Sequence, residues 1–174
     1  QGKKKGEATY KYDEKRAIMK QIQGGVTAAK GFQAAGIEAA VKYRDRKDMA
    51  LIYSETPCVA AGTFTTNVVK AAPVLWDQRV VKESPYVQAV VANSGIANAC
   101  TGKEGLDCCE AECRCAGELL GISPDSVLVA STGVIGRQIP VDRITEGIRK
   151  LAAAKSHTLE AGTDAAKAIM TTDT

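Results

Sequence analysis

Two kinds of pattern divide this chain: short runs rich in Val, Ile, Leu and Ala bounded by Pro, Gly, Asn or Ser, and longer stretches with apolar residues every third or fourth position. The first kind fits buried strands and predicts four of them, over Met49–Tyr53, Val59–Thr65, Val87–Ala92 and Ser126–Ala130. The second kind, filled in with good helix formers, predicts helices over Asp107–Leu120, Val141–Lys155 and Glu160–Met170. Ser123-Pro124-Asp125 reads as a turn and Pro140-Val141-Asp142 as the start of a helix. Several strands followed by helices, with one helix between the third and fourth strands, point to α+β or layered α/β rather than a regular βαβ array. No repeat or linker interrupts the pattern after residue 24. One domain over residues 24–174 is expected, preceded by a basic, mobile segment over residues 1–23.

Composition narrows this only a little. The 174 residues are 45% hydrophobic and 25% charged, ordinary for a globular domain with a core of ordinary size. No run reaches the roughly 18 apolar residues of a membrane helix, and the N-terminus lacks the apolar block of a secretory signal. A cytoplasmic location without membrane partners is expected. The net charge of +3 is local, because residues 1–20 hold seven Lys or Arg against three acids and the rest is nearly neutral. A basic head of this kind is weak evidence for nucleic acid, and no nucleic-acid partner is expected.

Four of the six cysteines fall in Asp107-Cys108-Cys109-Glu110-Ala111-Glu112-Cys113-Arg114-Cys115. On a helix Cys109 and Cys113 share one face and Cys108 and Cys115 another. This is not a repeated CxxC, and the single histidine, His157, is remote in sequence, so buried thiols are favoured over a metal site or disulfides. No GxxxxGK[ST] or GxGxxG occurs, which sets aside phosphate-loop and dinucleotide readings.

The sharper chemistry lies in Ala130-Ser131-Thr132-Gly133-Val134-Ile135-Gly136-Arg137, directly after a predicted buried strand. A Thr hydroxyl and a Gly amide held side by side are two donors, which is the composition of an oxyanion hole. The same residues also suit a plain turn or helix cap. No Ser/His/Asp arrangement accompanies them, so for acyl transfer the nucleophile is not evident in this chain.

Five motifs in order, "GGVTAAKGFQAAGI", "FTTNVVKAAPV", "VVANSGIANACTG", "STGVIGRQIP" and the terminal "AIMTTDT", make the chain resemble the N-terminal (α) part of the ornithine acetyltransferase family, the bifunctional glutamate N-acetyltransferases of arginine biosynthesis. Ile96 stands where many members have Asn, and the clustered cysteines stand where members carry Ala, Met or other small residues.

The resemblance implies an α-β-β-α layered α/β sandwich, made by a precursor that cuts itself into α and β chains, with two of each in the usual assembly. The new β-chain N-terminus is a threonine that serves as the nucleophile. This chain is then an α chain lacking its last portion and inactive alone. The implied reaction moves acetyl from N2-acetylornithine to glutamate through an acetyl-threonine, with acetyl-CoA a further donor in bifunctional members and no bound cofactor or metal. The implied oxyanion hole is the Thr132 hydroxyl with the Gly133 amide, and Thr171 is the implied substrate-binding residue. Asn93, Asn98, Thr101 and Arg137 lie near these motifs without an assigned role. A self-processing aminopeptidase-like amide hydrolase on the same layout, and a non-catalytic α-chain relic, are the alternatives that a β-chain sequence would separate.

Overall fold

The computed structural model describes residues 24–170; the basic segment over 1–23 and Thr171 lie outside the described residues. Elements follow in the order β1 (Phe32–Ile37), β2 (Met49–Cys58), α1 (Ala72–Glu83), β3 (Val87–Asn93), α2 (Gly102–Leu120), β4 (Val127–Ser131), α3 (Val141–Ala154) and α4 (Leu159–Ile169). The four strands form one sheet in sequence order. β1–β2 and β2–β3 are antiparallel, while β3–β4 is parallel and joined by the α2 crossover.

Residues of β3 alternate between two faces, and Val87, Ala89 and Val91 turn inward with Met49, Leu51, Val127 and Val129. Against that face pack Cys109, Cys113 and Ala116 of α2 and Ile144, Ile148 and Leu151 of α3. Each of the large aliphatic side chains among them is worth about 1.5–3 kcal/mol of burial. The other face is covered at one end by α4, through Ala165 and Ala168 on Ala34 and Ala50. Beyond α4 an apolar groove of about 530 Å³ remains, lined among others by Ile52, Val90, Ala92, Ala130 and Ile169. The α/β class is as the sequence implied; of a layered sandwich, the described residues supply one sheet and its helices.

Three elements differ from the sequence reading. Val59–Thr65 is not a strand: β2 ends at Cys58, among the described residues no partner strand continues beside it, and Val59 is 95% exposed. β1 carries no strand pattern in the sequence, since the centre of Phe32-Gln-Ala-Ala-Gly-Ile is Ala-Ala-Gly, whose extended form depends on pairing with β2. Helix α1 was also missed, although Pro73 in its first turn is a recognised start signal. Elsewhere the correspondence is close, with α2 starting earlier, at Gly102.

β4 is an edge strand whose outer backbone groups are satisfied by helix side chains. Trp76 Nε1 donates to Val127 O at 3.3 Å, and Val129 N donates to Asp77 Oδ1 at 3.0 Å. This removes the exposed ladder that would invite pairing with another chain. Cys108, Cys109 and Cys113 are buried as expected, Cys115 is half-buried, and burial pushes all four thiols up. Among the described residues no group of three His, Cys, Asp or Glu side chains is placed to hold a metal ion.

Glu112, 5% exposed on the inward face of α2, is pushed up to about 8 by burial and then by Asp77, which burial itself raises to about 6. Cys108, Cys109 and Cys113 are the other titratable groups coupled to Glu112. The folded chain therefore keeps protons that the unfolded chain releases above its ordinary carboxyl values of 3.8 and 4.5. Stability falls as pH rises from there through about 8, because the unfolded state binds fewer protons. Thermal unfolding should show a lower Tm at about pH 8 than at about pH 5, and Glu112→Gln should flatten that dependence and raise the Tm at the upper pH. A Tm that climbs over this interval, or an unchanged slope in the variant, would contradict the assignment.

Candidate active site

The parallel β3–β4 ladder does not stop with the strands. Thr132 N donates to Asn93 O at 3.1 Å, Val134 N to Gly95 O at 3.2 Å, and Ala97 N to Val134 O at 2.9 Å, with Ile96 and Val134 forming an isolated parallel bridge. Gly133 sits inside this extension at φ +131°, a backbone conformation that L side chains rarely adopt. A Cβ there would lie 2.3 Å from the Gly95 carbonyl carbon and 2.7 Å from Ile96 N. The Ser-Thr-Gly turn is thus fixed by backbone contacts on both sides.

Within it the three residues divide their roles. Ser131 Oγ accepts from Asn98 N at 2.6 Å, a long-range bond that ties the start of the turn to the segment before α2. Among the described residues neither the Thr132 hydroxyl nor the Gly133 amide has a hydrogen-bond partner, and both residues are exposed. Two donors without internal partners, on a loop that cannot easily move, are what an oxyanion hole needs before substrate arrives. Thr132 and Gly133 both line an open cleft of about 670 Å³ with Lys42, Tyr43, Arg46, Asp48, Ser94, Gly95 and Val134. Thr132 also lines the apolar groove, so it stands where the polar cleft and the groove meet.

Asn98 and Thr101 are buried and bonded to the fold. Asn98 Nδ2 donates to Gly105 O at 2.8 Å, and Thr101 Oγ1 donates to Asn98 Oδ1 at 2.6 Å. Asn93 Nδ2 donates to Ile96 O at 2.9 Å, and its Oδ1 is buried without a partner among the described residues. Arg137 is exposed and lines neither the cleft nor the groove. His157 bonds to Phe32 O and pairs with Glu55 on the surface, and it lines neither space. Thr171 lies outside the described residues, but its neighbour Met170 is held through its carbonyl by Arg46 Nη2 at 2.6 Å. Arg46 is a cleft residue.

The sequence reading missed the loop before β2, which supplies Lys42, Tyr43, Arg46 and Asp48. Its charged run, Lys42 to Lys47, has the look of a solvated surface, and only the following Asp48 hinted otherwise. Asp48 is 3% exposed and accepts from Ala39 N at 2.7 Å and Val41 N at 2.6 Å. Burial raises its pKa, against the lowering effect of those two amides.

Comparison with known proteins follows the same lines. A family model described as the ArgJ family matches residues 33–174. The chain is 54% identical over 158 residues to the arginine biosynthesis bifunctional protein ArgJ of Symbiobacterium thermophilum, covering 90% of this chain and 39% of that protein. It is 48% identical to the ArgJ protein of Gloeobacter violaceus, covering 87% and 37%. The chain thus spans less than two fifths of the length of these curated relatives. Among solved structures it is similar to the ArgJ protein of Bacillus halodurans, with TM-score 0.82, 46% identity, 87% of this chain and 78% of that chain. It is also similar to an ornithine acetyltransferase of Mycobacterium tuberculosis solved with ornithine, with TM-score 0.83, 42% identity, 86% and 80%.

The close approach at Gly133 can be checked against a second glycine of the same loop. Gly136 also has positive φ, at +77°, but a Cβ there would meet open space. Gly136→Ala should cost about 1 kcal/mol in chemical denaturation, while Gly133→Ala should cost more than about 3 kcal/mol or prevent folding. Equal costs at the two positions would show that the Gly95 contact does not constrain the loop.

Proposed function

This chain belongs to the ArgJ family, and from that premise we propose that it is the α-chain portion of a self-processed acetyltransferase of arginine biosynthesis. Residues 24–174 are the α-chain part of the acetyltransferase domain, completed by a β chain from the same precursor in an α2β2 assembly, with residues 1–23 as a basic N-terminal segment. The uncovered apolar groove suits a second sheet stacked on β2, β3 and β4, as the sandwich requires.

The reaction is ping-pong. The N-terminal threonine of the β chain attacks the acetyl carbonyl of N2-acetylornithine, its hydroxyl proton passing to its own α-amine, which titrates near neutrality. The carbonyl π electrons move onto oxygen, and the Thr132 hydroxyl and Gly133 amide donate to that oxyanion. Collapse of the tetrahedral centre breaks the bond from acyl carbon to nitrogen, the amine returns the proton to the leaving group, and ornithine departs. The acetyl-threonine ester is then attacked by the amine of glutamate through the same hole, giving N-acetylglutamate and the free threonine. Acetyl-CoA is a second donor in a bifunctional member, with the thiol as leaving group. Thr171 contributes a substrate contact. No step calls on a metal or a bound cofactor.

The observation that carries this reading is the pair of donors at Thr132 and Gly133, without partners among the described residues, on a loop fixed at the mouth of a cleft. Thr132→Ala should lower kcat about 10²-fold or more with KM and Tm nearly unchanged, and Thr132→Ser should retain far more activity. The assay needs separately encoded α and β chains, since self-cleavage would use the same hole. A wild-type kcat for Thr132→Ala would remove the oxyanion role, and free acetate formed in place of N-acetylglutamate would favour the amide-hydrolase alternative.

A further inference from the structure

Loop 38–47, between β1 and β2, is held at more points than its charged sequence suggests. Besides the two amides gripped by the Asp48 carboxylate, Asp48 N donates to Ile37 O at 2.9 Å and Ser94 N donates to Asp48 O at 2.8 Å. Asp45 N donates to Glu38 Oε1 at 3.0 Å, and Arg143 Nη1 reaches Ala40 O at 2.6 Å. Lys47 Nζ bonds to Gly36 O at 3.1 Å and pairs with Asp164 of α4 at 2.8 Å. Ala40 and Asp45 are non-glycine residues at φ +53° and +64°, a strained conformation that persists only where the surroundings impose it.

What this fixed loop presents to the cleft is positive charge. Lys42 Nζ lies 4.4 Å from the Tyr43 ring centroid and Arg46 Cζ lies 5.8 Å from it, so one half-exposed ring stacks with both cations. Lys42 is half-buried, and among the described residues no carboxylate pairs with it. The carboxylate in the cleft lining, Asp48, has one oxygen bonded to each of two loop amides. The stem of Lys42 also packs directly on Gly95, where an added Cβ would meet Lys42 Cβ at 3.0 Å. Gly95 is the residue whose carbonyl group crowds Gly133. One backbone therefore separates the Lys42 stem from the oxyanion loop.

We propose that loop 38–47 forms an anion-binding wall of this cleft, in which Lys42, reinforced by the charge of Arg46, takes a carboxylate or phosphate of a substrate whose acyl centre lies at Thr132 and Gly133. The placement of that acyl centre rests on the function proposed above; the anion site rests on the loop and its cations. A cation desolvated along its stem and fixed by a rigid loop gives a charge-assisted bond of known position, whereas a solvated lysine gives little. The same wall could meet the carboxylates of glutamate or the phosphates of acetyl-CoA.

Isothermal titration of the full-length protein carrying this chain, with L-glutamate and with acetyl-CoA, tests the site independently of turnover. Lys42→Met should weaken binding of at least one of the two about tenfold or more at unchanged Tm, while Lys42→Arg should stay within about threefold of wild type. Loss confined to L-glutamate assigns the wall to a carboxylate, and loss confined to acetyl-CoA assigns it to phosphate. Lys42→Glu, which keeps a polar head outside the core, should abolish the affected binding. Wild-type affinity for both ligands in Lys42→Met and Lys42→Glu would overturn the proposal, as would a wild-type protein that binds neither. A wild-type protein that loses these ligands on Lys42→Met yet transfers no acetyl group would support the anion site and contradict the function proposed above.

Discussion

The cleft depends on how closely two backbones approach where the parallel β3–β4 ladder runs past the ends of its strands. Gly133 fits against the Gly95 carbonyl with no space for a side chain, and hydrogen bonds from Thr132 and Val134 close the chain on either side of it. Because both flanking amides are spent on this contact, the Thr132 hydroxyl and Gly133 amide are what the turn leaves uncommitted. Rigidity and availability arise from one arrangement. A looser turn would pair its donors with itself, and a side chain at residue 133 would push the two segments apart.

Support for that contact comes from both sides of the sheet. On the β4 side, Trp76 and Asp77 of α1 cap the outer edge of the strand, so its path into the turn is set before the turn begins. On the β3 side, Ser94 Oγ donates to Ala168 O at 2.8 Å, tying the start of the Gly95 segment to the end of α4. Arg46 holds the next turn of chain at Met170. Four segments distant in sequence, around residues 42–48, 94–96, 132–134 and 168–170, are thus drawn to one place. That convergence, more than any one motif, marks the cleft as a site.

Part of this was legible in the sequence. Runs such as Val87–Ala92 and Ser126–Ala130 carry their own apolar pattern and appear as β3 and β4, and the helical spacing of α3 and α4 is equally direct. The Ser-Thr-Gly stretch drew attention because hydroxyl residues and glycine after a strand have few uses, though its sequence alone did not distinguish a cap from a pair of donors. In the fold Ser131 is bonded across to Asn98 N, while the Thr132 hydroxyl has no partner among the described residues. What could not be read locally is whatever depends on distant partners. β1 is a strand because β2 lies beside it, Val59–Thr65 is not one because no described strand does, and Lys42 faces a cleft because Asp48 folds the charged loop inward. Asn98 and Thr101, which proximity in motif left unassigned, are bonded to each other beneath α2.

The most direct measurement is a crystal structure of the processed full-length protein holding a phosphonate analogue of the tetrahedral acetyl-transfer intermediate. The expected result is an anionic phosphonate oxygen within about 2.7–3.1 Å of both Thr132 Oγ1 and Gly133 N, with the Gly133–Gly95 contact unchanged. An analogue bound with that oxygen on other groups, and with both donors beyond hydrogen-bond distance, would contradict the oxyanion role of this turn.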